Sequence, residues 1–278
     1  MKKLFRLGSV AAILLGVVAA AGYIAFSHNV PPRFTLSGSP SPAQPSPSGA
    51  VPARVARLCQ DIAPPDKEAQ CERGATAYQA ACHQPKSTPG VARAGTWLVA
   101  AGSEAGMRVH EKFIDLQLPN EAVARTQQVA GGFVLSGSGN STRVDSACIA
   151  VGTLLLHSVD TVPEMPLLDT SQRDPVIAVV LDAVDDPVAT FRATGLGLPS
   201  DFDDGTTHRL SVPGEFTIHG VTRDVVAPLE GTMKRTHAEL VGSFTLKLAE
   251  YGMEPPENPM AAVDPTVTIE IHIFLDRS

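Results

Sequence analysis

Apolar and polar residues alternate along most of the last two-thirds of this chain. Val267, Ile269, Ile271, Ile273 and Leu275 form one side of a run, and Thr268, Glu270, His272 and Asp276 most of the other, with Phe274 interrupting the polar side. Leu240, Gly242, Phe244, Leu246 and Leu248 repeat the pattern. Phe216 and Ile218 alternate with Thr217 and His219; beyond Gly220, Val225, Ala227, Leu229 and Gly231 alternate with Val226, Pro228 and Glu230. A period of two marks strands with unlike faces, and glycine supplies the backbone freedom of the turn between them. From about Gly95 to Ser278 nearly every segment reads as strand, punctuated by Gly and Pro at the short intervals of an antiparallel barrel or sandwich. The exception is Thr170 to Val184, which reads as an insertion containing a short helix. The chain shows no internal repeat.

Upstream the period changes. Ala53–Ala63 and Asp66–His83 read as helices divided by Pro64-Pro65, through which neither can continue. Cys71, Ala75, Tyr78 and Cys82 share a stripe of the second helix. Cys71 and Cys82 would lie about 16 Å apart along it, too far for a disulfide, which needs Cα atoms within about 7 Å. Cys59 and Cys71 flank the Pro-Pro turn almost symmetrically, so a helical hairpin pairs them. Cys82 and Cys148 are then left to pin the hairpin to the strand region.

Residues 30–52 carry Pro40, Pro42, Pro45 and Pro47 interleaved with Ser39, Ser41, Ser46 and Ser48. Such a composition buries too little apolar surface to offset its conformational entropy, so it reads as a disordered, extended tether. Before it, Lys2, Lys3 and Arg6 precede an uncharged run from Leu7 to Phe26. That is about the 20 residues a transmembrane helix needs, and the basic flank keeps the N-terminus cytoplasmic. The rival reading is a signal peptide cut near Ala19-Ala20-Ala21. The apolar run continues through Tyr23, Ile24 and Phe26, which favours a signal-anchor. The expected organisation is a signal-anchor at 1–29, a linker at 30–52, a helical hairpin at 53–94 and the strand domain at 95–278. The last part is expected outside the cytoplasm, on a single-pass anchor or secreted if the leader is cleaved.

Composition narrows the function classes. Of 278 residues 44% are hydrophobic but only 5% aromatic, so the core is aliphatic. A net charge of −7 provides no basic field for nucleic acid. The four cysteines suit an oxidising compartment.

Chemistry-bearing motifs are weak. Tyr78 to His83 lacks the first cysteine of a haem attachment site, with Gln79 in its place. His208, His219, His237 and His272 lie on or beside strands without the converging spacing that zinc wants. Gly137-Ser138-Gly139 reads as a hairpin turn, not a nucleophile elbow. Asp201, Asp203 and Asp204 fall short of a calcium loop and read as a solvated turn. Asp174, Asp182 and Glu111 could do acid–base work only if burial shifted one of them; the structural reading has Arg173 and Asp174 tying the insertion to the barrel mouth and Asp182 turning the chain. His219 reads as a turn residue bonded to backbone. No cofactor, metal site or catalytic group is expected.

A family resemblance gathers these pieces. Gly214-Glu215-Phe216-Thr217-Ile218-His219-Gly220-Val221-Thr222-Arg223, followed by Val225, Pro228 and Leu229, resembles a signature of the YceI-like lipid-binding proteins. Further blocks occur in that family's order: Gly95-Thr96-Trp97-Leu98-Val99, Ser103 to Glu111, Arg125-Thr126, Arg173-Asp174, Leu181-Asp182, Pro187 to Phe191, Tyr251-Gly252-Met253 with Pro255-Pro256, and Thr268 to Ile271. Met107 stands where the family usually has Tyr, Val151-Gly152-Thr153 replaces a Val-Asp-Met strand, and Pro175 to Val180 is more apolar than usual. The resemblance implies an all-β fold, an eight-stranded antiparallel lipocalin-like barrel with an apolar tunnel for a long-chain isoprenoid, quinone or other lipid. Alternation then assigns to the tunnel Met107 and Val109, Phe133 and Leu135, Phe191 and Ala193, Phe216 and Ile218, Phe244 and Leu246, and Ile271 and Ile273. Small residues among them, Ala193 and nearby Gly242, favour a hollow barrel over a packed one. The competing functions are a cargo-free envelope module that binds a protein and an enzyme acting on a lipid.

Overall fold

The strand segments curl into a closed wall. In this computed structural model, residues 30–37, 59, 65–82, 93–113, 120–162, 165, 167–256 and 261–278 are described. The strands are β1 (Arg93–Val99), β2 (Glu104–Phe113), β3 (Asn120–Thr126), β4 (Val129–Ser136), β5 (Arg143–Gly152), β6 (His157–Ser158), β7 (Val188–Gly197), β8 (Asp204–Ile218), β9 (Val221–Lys234), β10 (His237–Lys247) and β11 (Ala261–Arg277). The helices are α1 (Pro65–Ala81) and α2 (Asp174–Val180). The order β1-β4-β5-β7-β8-β9-β10-β11, closed by β1 pairing back to β11, makes an eight-stranded antiparallel barrel. Closure removes the edge along the ring, while β2, β3 and β6 extend the sheet beyond it.

β11 closes the ring. Its end, Leu275–Arg277, pairs with β1, and its earlier part, Ala261–His272, pairs with β2, which continues to β3 and β6. The β11–β2 register shifts between Val263 and Val267. Pro265, which has no N–H to donate, lies within that irregular stretch. The wall is thin at two seams: β7 and β8 share register only at Thr190–Arg192 against Glu215–Thr217, and β1 and β11 only at Trp97–Val99 against Leu275–Arg277.

The β8–β9 hairpin turns on two residues, His219 (φ 53°) and Gly220 (φ 67°), between the paired Ile218 and Val221. Two successive positive φ angles make a type I′ turn, whose twist matches that of strands. His219 tolerates this conformation with its ring nitrogen Nδ1 3.0 Å from the carbonyl of Tyr251. The histidine is thus the turn residue that its position suggests.

The insertion between β6 and β7 carries α2 and is fastened at the start of that helix. Arg173 donates to the Asp160 carboxylate at 2.9 Å and also to Glu111, while Asp174 accepts the Ser158 N–H at 2.8 Å. Asp182, at φ 48°, turns the chain, its carbonyl accepting from the amides of Asp185 and Asp186.

α1 begins at Pro65, the helix end at which proline's fixed φ and missing donor do no harm. It lies against the outside of β4, β5 and β7 with Cys71, Ala75, Tyr78 and Cys82 buried. Arg192 donates to the carbonyl of Ala81 at its last turn. Both disulfides form as the hairpin reading predicts, Cys59–Cys71 and Cys82–Cys148, each with Cα atoms 5.6 Å apart. Cys59 is helical; the rest of the first hairpin arm lies outside the described residues, as does the apolar run Leu7–Phe26. Among the described residues no helix is long and apolar enough to cross a membrane. Of the Pro/Ser-rich linker, residues 30–37 are described, and they lie extended against the outside of the barrel.

Replacing Cys82 and Cys148 by Ser opens a loop of 66 residues. The expected cost is about 2–4 kcal/mol, read as a lower urea midpoint, with α1 amides exchanging faster and the strand amides still protected.

Candidate functional site

Inward-facing side chains gather into two buried clusters, one at each end of the barrel. At the end where the insertion joins, Leu154, Leu156, Leu181 and Ala183 pack with Phe216, Ile218, Leu246, Tyr251 and Val267. The Phe216 ring meets Phe244 and Tyr251 edge-on, at centroid distances of 5.1 and 5.9 Å. Burial raises the Tyr251 phenol above its ordinary value, with the nearby Glu250 charge adding to it. At the other end Trp97 stacks on Phe133 at 5.9 Å, among Leu135, Val144, Met233, Ile273 and Leu275.

Between the clusters the barrel is hollow. A cavity of about 190 Å³ runs from Leu156 and Leu181 at the insertion end to Leu198 and Phe202 beyond β7. Its length over so many residues at so small a volume makes it narrow. None of its lining residues is Asp, Glu, Lys or Arg. The titratable lining group is His208, at the loop end, with Nε2 3.0 Å from Thr206 Oγ1 and 3.2 Å from the Asp201 carbonyl. Such an interior can bury an uncharged apolar chain. Among the described residues, no Cys, Asp or Glu stands beside His208 in the lining.

Small residues keep the space open. Ala147 and Ala193 face each other across β5 and β7, both lining the cavity. Gly231 opposes Leu240, and Gly242 opposes Leu229, across β9 and β10. A Cβ on Gly231 would stand 2.4 Å from Leu240 Cδ2, and one on Gly242 2.3 Å from Leu229 Cδ2. Each leucine therefore lies flat over a glycine along the wall.

The alternation pattern places most of its assigned residues here. Met107, Phe133, Phe191, Ala193, Phe216, Ile218, Phe244, Ile271 and Ile273 line the cavity. Val109 and Leu246 instead pack into the insertion-end cluster, and Leu135 into the Trp97-end cluster. They face inward as expected, but at levels of the barrel that are filled. The pattern misses the β5 residues Ala147, Ile149 and Val151. Their strand is apolar on both faces, because α1 covers Cys148 and Ala150 on the outside, so no alternation marks it. It also misses Leu198, Phe202 and His208, which reach the cavity from a loop and the start of β8, where inward and outward have no period.

The acidic candidates are structural. Glu111 accepts from Asn120 at 2.8 Å and from Arg173, and Asp160 accepts the Val123 N–H at 3.0 Å as well as Arg173. Asp204 accepts the Thr206 N–H at 2.7 Å in its turn. Among the described residues no group of three or more His, Cys, Asp or Glu could hold a metal ion.

A closed antiparallel barrel of eight strands is either filled by its own side chains or wide enough to hold one small ligand, and this one keeps a carbon-lined space in its middle. The family model of the YceI-like domain matches residues 103–275, and the chain belongs to that family. Among solved structures it is similar to a polyisoprenoid-binding domain from Saccharophagus degradans implicated in plant cell wall breakdown, at 15% identity and TM-score 0.46, covering 66% of this chain and 99% of that one. It is similar also to BcnA of Burkholderia cenocepacia, at 17% identity and TM-score 0.42 over 62% of this chain and 95% of that one. The Campylobacter jejuni YCEI protein matches at 11% identity and TM-score 0.35 over 60% and 84%. None of the curated proteins compared with the chain matches it in sequence.

Arg173 neutralises two carboxylates, one of them the fully buried side chain of Asp160. Arg173→Met is expected to cost about 3–5 kcal/mol, measured by urea unfolding. Adding Asp160→Asn should recover part of it, because a buried amide needs no counter-charge.

Proposed function

We propose that this protein holds a long-chain isoprenoid, quinone or other lipid in its barrel, outside the cytoplasm, on an N-terminal membrane segment. The observation that carries the reading is the lining of the cavity, which is apolar for nearly its whole length and free of carboxylates, amines and guanidinium groups. Each methylene moved from water into such a lining contributes about 0.8 kcal/mol, so affinity grows with chain length and needs few polar contacts. Apolar cavities of about 150 Å³ stay dry and admit benzene; this one, of about 190 Å³, is drawn out along the barrel and suits a single slender chain. The family resemblance carries the same implication. The two disulfides suit an oxidising compartment, and the basic flank before Leu7–Phe26 suits a signal-anchor. Nothing in the arrangement calls for a cofactor, and holding the cargo requires no catalytic step.

The test is organic extraction of the protein purified from its native membrane, followed by mass spectrometry, with titration of a fluorescent long-chain probe into the emptied barrel. A co-extracted prenyl or acyl chain and saturable probe binding support the reading. No extracted lipid together with no probe binding would sink it in favour of a cargo-free module. Ala147→Phe and Ala193→Phe place a ring in the middle of the cavity from facing strands. Each should weaken probe binding at least tenfold at a folding cost of about 1–3 kcal/mol. Unchanged binding in both would show that the chain sits elsewhere.

A further inference from the structure

The outward faces of β2, β3, β10 and β11 carry charges that are not in water. Arg108 is 3% exposed, Glu270 2% and Glu239 0%. An outward-facing charge on a barrel ordinarily meets solvent. Residues 30–37 cover these, running across the strands from β3 to β10.

The contacts are individual. Arg108 Nη2 donates to the carbonyls of Pro31 and Pro32 at 2.6 and 2.8 Å, and Arg125 donates to that of Pro32 at 2.5 Å. Arg108 is also held by Glu121 at 3.0 Å and lies 2.7 Å from Glu270 as an ion pair, too bent at Nε to count as a hydrogen bond. Arg33 reaches Glu121 at 3.5 Å and Glu270 at 3.4 Å. The Phe34 ring lies 4.2 Å beneath the Arg125 guanidinium and 5.5 Å from the His272 ring. Ser37 donates through both N–H and Oγ–H to the two oxygens of Glu239, at 2.8 and 2.6 Å, and His272 Nε2 lies 2.7 Å from the same carboxylate.

We propose that this face is a peptide-binding groove whose occupant is residues 30–37 of the same chain, a strap that holds the barrel beside the segment preceding it. Carbonyls meet arginines, an arginine meets glutamates, a ring meets a guanidinium, and a serine meets a carboxylate at both ends of its donor pair. A composition-driven tether makes no such set of matched contacts. Pro31-Pro32 favours extended backbone before docking, which lowers the entropy lost on binding. The strap faces a groove that is charged where the cargo cavity is apolar, so the two are separate sites.

Its position alters how the barrel is suspended. Phe26, the end of the apolar run, precedes Val30 by four residues, a reach of at most about 14 Å. On the membrane-tethered reading, the docked strap keeps the β2–β3–β10–β11 face close to the bilayer. The Pro/Ser-rich residues that follow then join the strap to the helical hairpin, and do not set the distance between barrel and membrane.

The experiment inserts a specific protease site between Pro40 and Ser48 of the full-length protein and cuts it. No disulfide spans the cut, because all four cysteines lie beyond it. The barrel is expected to remain with the N-terminal piece in the membrane fraction, and in native mass spectrometry. In the variant Arg33→Ala, Phe34→Ala, Ser37→Ala, which leaves the barrel itself unaltered, the cut barrel should separate, with at least tenfold less retained. A synthetic peptide of residues 30–38 should displace the wild-type barrel, and the same peptide carrying the three alanines should not. Equal and complete separation of wild type and variant would overturn the strap. Partition of the uncut chain reports the membrane segment independently: if that chain is soluble, the suspension is refuted while co-elution of the N-terminal piece with the cut barrel still decides the groove.

Discussion

β11 is the constraint on which the molecule depends. It is the strand that closes the ring, pairing with β10 along one edge and with β1 and β2 in succession along the other. Its two faces do unlike work. Val267, Ile269, Ile271, Ile273 and Leu275 supply wall to both end clusters and to the cavity between them. Glu270 and His272, pointing the other way, hold the segment that crosses the outside. A slip of one residue would exchange those faces, placing a glutamate in the cavity and isoleucines under the strap. Register on this strand therefore fixes the interior and the exterior together.

The hollow follows from where bulk is withheld. Barrels of about eight strands are just wide enough for side chains to fill. Here the ends are filled, by the insertion with Leu154, Leu156 and Leu181 on one side and by Trp97, Phe133 and Met233 on the other. The middle is kept open by the Ala147–Ala193 pair and by leucines laid over Gly231 and Gly242. Packing at the ends supplies stability that the middle does not, which lets the space persist. The same division explains why Val109, Leu135 and Leu246 face inward without lining the cavity.

Much of this is legible in the sequence where a strand has one wet and one dry face. β8 to β11 announce themselves by alternation, and the His219-Gly220 turn by its position between them. Helical rise excludes Cys71–Cys82, a hairpin about Pro64-Pro65 pairs Cys59 with Cys71, and loss of the period marks the insertion. Legibility fails wherever a second layer covers a strand. α1 makes both faces of β5 apolar, hiding the residues that face the cavity. The loop end is hidden for another reason, since Leu198 and Phe202 are placed by chain reversal and not by a repeat. The outer charges are the clearest case. Glu270 and His272 read as an ordinary solvated face, and the segment that buries them reads as a tether. Their partners stand far away in sequence, Ser37 being 202 positions from Glu239 and Pro31 77 from Arg108. Local pattern carries no information about contacts at such separation.

Two kinds of desolvation thus occupy opposite sides of one wall. Inside, carbon replaces water around an apolar space, an interaction that is indifferent to sequence and grows with buried area. Outside, each charge that loses water gains a partner of fitting geometry, without which burial would be unfavourable. On the proposed function, the first suits a cargo that varies in length; the second suits a partner of fixed sequence. On the inside, Met107 contributes only surface to the lining. The strap contacts instead join particular residues: a glutamate oxygen to each donor of Ser37, a guanidinium to the carbonyls of two successive prolines.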